Sequence, residues 1–265
     1  NGLSLIQTDS SGDGGGGKAL RSYAADINDS NQVVGYRDRY YSPFGVNFDR
    51  GYRWNAPAGT ILNVSNFAAS LVNESRALAI NEAGVVAGYA DGQINGYQAL
   101  RWTQAGGTQN LGSLVVGNET FGQAINNTNV VTGYGFNATP TEALLRYDAN
   151  GPLENIGLFP FSAATWGYDI NDSGTIVGQY EVDFNTFHAF RRTSAGSWLF
   201  LPLLTGAGST SDDSNVAQGI NSLGEIVGSS EIGNANHRAW VTDGVSGVID
   251  LNTKIVGGAG WVLND

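Results

Sequence analysis

Cysteine and methionine are absent from this 265-residue chain, and histidine occurs only twice. Without cysteine there are no disulfides and no thiolate metal sites. With only two histidines, a Ser-His-acid triad or a histidine-rich metal centre is a poor expectation, and no G-x-S-x-G elbow occurs. Charged residues make up 14% of the chain, and the 13 basic against 24 acidic side chains leave a net charge of −11. That balance argues against a nucleic-acid or anionic-membrane partner. No apolar run approaches the roughly 18 residues that a membrane span requires. Prolines number six, glycines 38. The abundant Gly, Asn, Ser and Thr suit many turns better than long helices.

What is present is a phrase that returns five times. It reads Ile27-Asn-Asp-Ser-Asn-Gln-Val-Val-Gly35 in its first copy, and its later copies begin at Ile80, Ile125, Ile170 and Ile220. The starts lie 45 to 53 residues apart, a period of propellers or stacked arrays. The fifth position holds only Asn or Gly (Asn31, Gly84, Asn129, Gly174, Gly224). These residues best tolerate positive φ, so the phrase predicts a tight β-hairpin with an obligatory left-handed residue. Three residues before each Ile stands a small residue (Ala24, Ala77, Gly122, Gly167, Ala217), which predicts a crowded innermost strand. Third strands follow at Gly51–Trp54, Ala99–Trp102, Ala143–Arg146, His188–Phe190 and His237–Trp240, and each unit ends in a short apolar fourth strand. The expectation is a single all-β domain over 1–265, a five-bladed β-propeller of four-stranded antiparallel blades with repeats near 21–65, 74–113, 119–158, 164–203 and 214–252. An open β-solenoid is the alternative.

The connections between first and second strands are uniform. Those between second and third strands (Arg37–Arg50, Glu181–Phe187) and between blades (Phe67–Arg76, Leu203–Asn215) vary in length. Variation gathered on one face predicts the binding face. The expected ligand-binding residues are Tyr40, Tyr41, Phe44 and Phe48 in the longest connection, together with Glu181 and Asp183. Aromatic platforms among short polar side chains suit a saccharide or a protein partner.

The triplet His188-Ala189-Phe190, the related His237-Arg-Ala-Trp240 and the Ile-Asn-Asp-Ser-Gly-x-Ile-Val-Gly phrase together resemble the HAF-type extracellular repeat family, over roughly residues 20–255. The resemblance implies an exported bacterial protein, secreted or at the cell surface, and it supplies no catalytic residues.

Other chemistry is weighed against this reading. Gly12–Ala19 approximates a phosphate-cradling loop but has Ala19 where a hydroxyl should hold Mg²⁺, so a glycine linker is the better account. Propellers can host glycosidases, which makes Asp38, Asp49, Glu74, Glu119, Glu142, Glu181, Asp183, Asp212 and Asp213 the acids of an alternative hydrolase reading. Asp26, Asp29, Asp169 and Asp172 flank the repeated Asn and offer hard oxygens to Ca²⁺, although Asx hydrogen bonds within the turn are simpler. No other cofactor is expected. Sequons stand at Asn63, Asn73, Asn118 and Asn137. The chain starts at Asn1 rather than Met, which predicts a removed leader or a longer precursor. Spare strand-like segments at 3–7 and 260–264 are expected either to latch the fold or to join copies into an oligomer or filament.

Overall fold

The computed structural model describes residues 19–41, 46–56, 60–64, 74–92, 96–138, 141–148, 153–204, 213–233, 236–244 and 247–254. The terminal segments 3–7 and 260–264, and nearly all of the glycine-rich stretch, lie outside them. Among the described residues, twenty strands form five antiparallel sheets of four. The first contains β1 (Ala19–Ile27), β2 (Gln32–Tyr41), β3 (Val46–Asn55) and β4 (Thr60–Val64). The second contains β5 (Ser75–Ile80), β6 (Val86–Asp91), β7 (Tyr97–Thr103) and β8 (Gly107–Asn110). The third holds β9 (Thr120–Ile125), β10 (Val131–Phe136), β11 (Glu142–Tyr147) and β12 (Leu153–Gly157). The fourth holds β13 (Thr165–Ile170), β14 (Ile176–Asp183), β15 (Thr186–Arg192) and β16 (Trp198–Phe200). The last has β17 (Asn215–Ile220), β18 (Ile226–Ile232), β19 (Asn236–Thr242) and the two-residue β20 (Ile249–Asp250), followed by a 3-10 turn at Leu251–Lys254. Each sheet is a simple meander, and the fold is that of a five-bladed β-propeller.

The chain divides into two compact units, Asn1–Val131 and Thr132–Asp265. In the first, Val34, Val64, Ala77, Val86, Leu100 and Trp102 form one buried cluster. In the second, Val177, Ala189, Leu201, Ala217, Ile226 and Trp240 do the same. Each cluster draws on two consecutive sheets, so neither sheet buries its apolar face alone.

The repeated phrase explains itself in detail. Its fifth residue is left-handed in every copy, with φ of 56° at Asn31, 74° at Gly84, 63° at Asn129, 74° at Gly174 and 86° at Gly224. Its ninth residue is glycine for a different reason. A Cβ on Gly88 would stand 1.9 Å from the Arg76 carbonyl oxygen, and one on Gly178 would stand 1.9 Å from that of Trp166. The approach occurs where the first strand carries a register shift, between Ala77 and Ala79 and between Gly167 and Asp169.

The phrase's Asn does two jobs. Its Oδ1 accepts from the backbone N–H four residues on, as Asn81 does from Val85 at 3.0 Å. Its Nδ2 reaches forward to the next blade: Asn28 donates to the Asn81 carbonyl, Asn81 to that of Asn126, and Asn171 to that of Asn221. Arginines of the third strands reinforce the same joints, Arg53 donating to the Gly84 carbonyl and Arg101 to that of Asn129. A small polar residue opening the first strand ties it to the preceding blade. Ser75 Oγ accepts from Gly51 N–H and donates to the Val64 carbonyl, and Thr120 does likewise between Ala99 and Gly112.

Two expectations about connections are corrected. Arg37–Arg50 is a long two-stranded ribbon, whose ladder continues to the pair Tyr41–Val46. Glu181–Phe187 likewise pairs down to Asp183–Thr186. Aromatic and β-branched residues (Tyr40, Tyr41, Val46, Phe48; Val182, Phe187) let the ladder run on where a loop was expected. The small first-strand residues are also explained locally. A Cβ on Gly122 would meet the Gly88 carbonyl at 2.8 Å, and one on Gly167 the Leu144 side chain at 2.4 Å. The crowding comes from the preceding blade.

Candidate functional site

In the first unit, β1, β2 and β3 of one blade meet β5 of the next around a cavity of about 410 Å³, lined by Arg21, Tyr23, Tyr36, Asp38, Phe48, Asp49, Glu74 and Arg76. Tyr23 and Tyr36 are partners across β1 and β2, and their rings stack at 4.8 Å. Asp38 and Asp49 are partners across β2 and β3. Arg76 enters from β5. Its Nε and Nη2 lie 2.6 and 2.5 Å from Asp49 Oδ2, and its guanidinium covers the Tyr36 ring at 4.6 Å. The ring of Tyr89, opposite Arg76 in the β5–β6 ladder, lies 5.8 Å from the same guanidinium.

The electrostatics follow from this packing. Burial pushes the Asp49 carboxyl above the ordinary carboxylate range, against the pull of Arg76, and a hydrogen bond shared with Asp38 adds to the rise. For Arg76 burial acts downward, but Tyr89 and Asp49 outweigh it and the guanidinium stays charged. The pair is therefore an ion pair held at a desolvation cost, as partly buried pairs are. Glu74 accepts a hydrogen bond from the Tyr97 phenol, which together with burial drives that phenol's pKa well upward. Arg21 lies 3.7 Å from Asp38 at the exposed margin.

Of the residues expected from sequence, Phe48 lines this cavity. Phe44 and the side chains of Tyr40 and Tyr41 lie outside the described residues. Three acids of the hydrolase reading, Asp38, Asp49 and Glu74, do converge here. Asp49 is a 7% exposed strand residue rather than a solvated loop acid. Glu181 belongs to the second unit, where burial raises the Glu142 carboxyl and the Glu181 charge adds to the rise, and Asp183 is exposed beside it in β14. Sequence reasoning missed Tyr23, Tyr36, Arg76 and Arg21. The available signal was positional: Tyr23 and Arg76 each precede the small first-strand residue, and Tyr36 follows the ninth-position glycine.

Two of the acids that flank the repeated Asn have hydrogen-bonding roles in the fold. Asp26 accepts from the N–H groups of Ile27 and Ile80, and Asp169 from those of Ile170 and Ile220. Through Ile80 and Ile220 these oxygens tie consecutive blades together. Among the described residues, no group of three His, Asp or Glu side chains is arranged to hold a metal ion. His188 lies edge-on between Tyr180 and Phe200, and His237 is exposed.

Residues 4–105 match a family described as a protein of unknown function, DUF3466. No curated protein matches the chain. Among solved structures, the chain is similar to TolB from Acinetobacter baumannii, at 12% identity and a TM-score of 0.52, over 87% of this chain and 52% of that one. It is also similar to puromycin hydrolase, at 14% and 0.59, over 90% and 38% of the two chains. A mutant of AofleA from Arthrobotrys oligospora is similar at 12% and 0.50, over 86% and 70%. The chain thus spans about half of the TolB chain and 38% of puromycin hydrolase, and at these identities the likeness is one of fold alone. No helix among the described residues is long and apolar enough to cross a membrane.

Proposed function

We propose that the protein is an exported, non-catalytic binding module, acting at the cell surface or in extracellular matrix, whose first-unit cavity takes a saccharide. The observation that carries this reading is the state of the cavity's charged groups: each carboxylate already has a partner in the protein. Asp49 is held by Arg76, Glu74 by Tyr97, and Asp38 by Asp49 and Arg21. Such groups are poised to donate and accept fixed hydrogen bonds, while Tyr23, 38% exposed and backed by its stack on Tyr36, offers an apolar face to a sugar ring, and Phe48 also lines the cavity. A cavity of about 410 Å³ is of the size that small ligands occupy.

Calorimetric titration with glucose, galactose, mannose, N-acetylglucosamine and cellobiose tests this. At least one should bind, and Phe48→Ala should weaken it by roughly tenfold, the scale of one lost ring contact of about 1.4 kcal/mol. Absence of binding by all five, or an unchanged Phe48→Ala variant, overturns the reading. A hydrolase is favoured by one observation, the raised Asp49 carboxyl beside Asp38. Its ion pair with Arg76 works against that role. Nitrophenyl glycosides should therefore not be turned over, and turnover lost in Asp49→Asn would replace the binding reading with the enzymatic one.

A further inference from the structure

The second unit contains a counterpart of the cavity wall with its cation missing. In the first unit Arg76 precedes the small residue Ala77 of β5, lies over Tyr36 of the preceding blade, and neutralises Asp49 on that blade's third strand. The same position in β13 is Trp166, which precedes Gly167. Tyr134 follows the ninth-position Gly133, as Tyr36 follows Gly35, and Glu142 stands on the preceding blade's third strand. Trp166 Nε1 donates to Glu142 Oε2 at 2.7 Å, and its ring meets Phe187 edge-on at 5.7 Å. Glu181 adds a second carboxylate near Glu142, and Tyr134 and Tyr168 lie near enough to act on each other electrostatically. Among the described residues, neither Glu142 nor Glu181 has an ion-pair partner.

Apolar side chains flank the same place. The segment after β12 runs beside Glu181, with Ala163 N–H donating to the Glu181 carbonyl and Glu181 N–H to that of Ala164. Phe159 anchors this segment by stacking on Tyr180 at 3.9 Å. At its apex Phe161 has φ of 68° and is fully exposed, and Phe184 at the β14–β15 tip is 88% exposed. Val182 between them in sequence is also exposed. Phe161, a bulky residue held left-handed with its ring in water, is costly by itself, and two exposed rings beside carboxylates without ion-pair partners have the composition of an interface centre.

We propose that this end of the second unit is a docking surface for a polypeptide that lays an arginine side chain against Trp166 and the carboxylates of Glu142 and Glu181, its apolar neighbours packing on Phe161 and Phe184. Charge complementarity selects the occupant: a cationic side chain supplies what Arg76 supplies internally in the first unit, and a planar guanidinium both stacks on aromatic rings and pairs with carboxylates. The chain's net charge of −11 favours the approach of a basic partner. An anionic vesicle is disfavoured on the same ground.

The probes are N-acetyl-arginine amide and the peptide acetyl-Leu-Arg-Leu-amide, titrated by calorimetry into the full chain. Both should bind, the peptide more tightly, while N-acetyl-norleucine amide should not. Glu142→Gln should weaken both by roughly tenfold or more, the loss of one charged hydrogen bond. Burial already disfavours the Glu142 charge, so this variant keeps its fold. Trp166→Arg supplies the cation internally and should abolish binding of both. Phe184→Ser, at an exposed tip, should weaken the peptide and leave the amide unchanged. Failure of both arginine probes to bind, undiminished binding to Trp166→Arg, equal binding of the norleucine amide, or adsorption of the protein to phosphatidylserine vesicles would each overturn the proposal. None of these outcomes depends on the saccharide reading of the first unit.

Discussion

Glycine serves two separate purposes within one nine-residue phrase, and substitutions distinguish them. Gly88 has no room for a Cβ because a backbone carbonyl stands 1.9 Å from its place. Gly88→Ala must push two strands apart and should lower stability by about 3 kcal/mol or more, at the upper end of overpacking costs. Gly107, at the start of β8 and outside the phrase, isolates the left-handed role of the phrase's fifth residue, with φ of 69° and nothing within 4 Å of a Cβ. Gly107→Ala therefore meets only the left-handed penalty, about 1 kcal/mol. Urea melts of the two variants should differ accordingly. His188 gives a pH test at the same scale. Burial, the larger influence, holds it below the ordinary value of 6.5 despite its hydrogen bond to the Asp213 backbone and the nearby charge of Asp183. The unfolded chain then binds a proton that the native state refuses, so this residue's contribution falls as pH drops below 6.5 towards the native pKa. Wild type should lose stability relative to His188→Phe across that window, measured as the difference in thermal midpoints. Buried carboxyls such as Asp26 have the opposite sign but are common to both proteins.

At the scale of the strand and hairpin, the Asn of the phrase is the element that joins consecutive hairpins within each unit. Asn81 accepts from Val85 N–H within its own turn and donates to the Asn126 carbonyl and Asn129 Oδ1 of the following one. Asn81→Ala leaves these groups buried without partners and should cost about 2–3 kcal/mol. Asn81→Asp keeps the turn bond but sets an anion against two acceptors, and should cost more. The turn half of this role was legible in sequence, because a left-handed fifth residue restricted to Asn or Gly has few explanations. The forward half was not, since the Asn126 carbonyl lies 45 residues away. Strand ends were the weaker part of the reading. The Arg37–Arg50 segment contains aromatics suited to a binding loop, yet cross-strand pairing of Arg39 with Phe48 and Tyr40 with Asn47 extends the ladder through it. The same extension moved Glu181 and Asp183 from a loop into β14.

For the whole molecule, the two candidate sites make opposite demands of ionic strength. An arginine slot formed by carboxylates should lose affinity towards about 1 M salt, where screening acts over about 3 Å. Saccharide binding in the first-unit cavity, where the charges are internally paired, should change little. Parallel titrations of N-acetyl-arginine amide and the binding sugar check this. The periodic phrase by itself determined that the chain is all-β, how many blades it makes and where each hairpin turns, because those properties depend on residues adjacent in sequence and on backbone conformations few side chains tolerate. The gathering of Asp38, Asp49, Glu74 and Arg76, and the contact of Trp166 with Glu142 at the position matching Arg76, were decided only in three dimensions. They depend on which strand of one blade lies beside the first strand of the next, and that proximity brings buried charges together at distances no sequence spacing encodes.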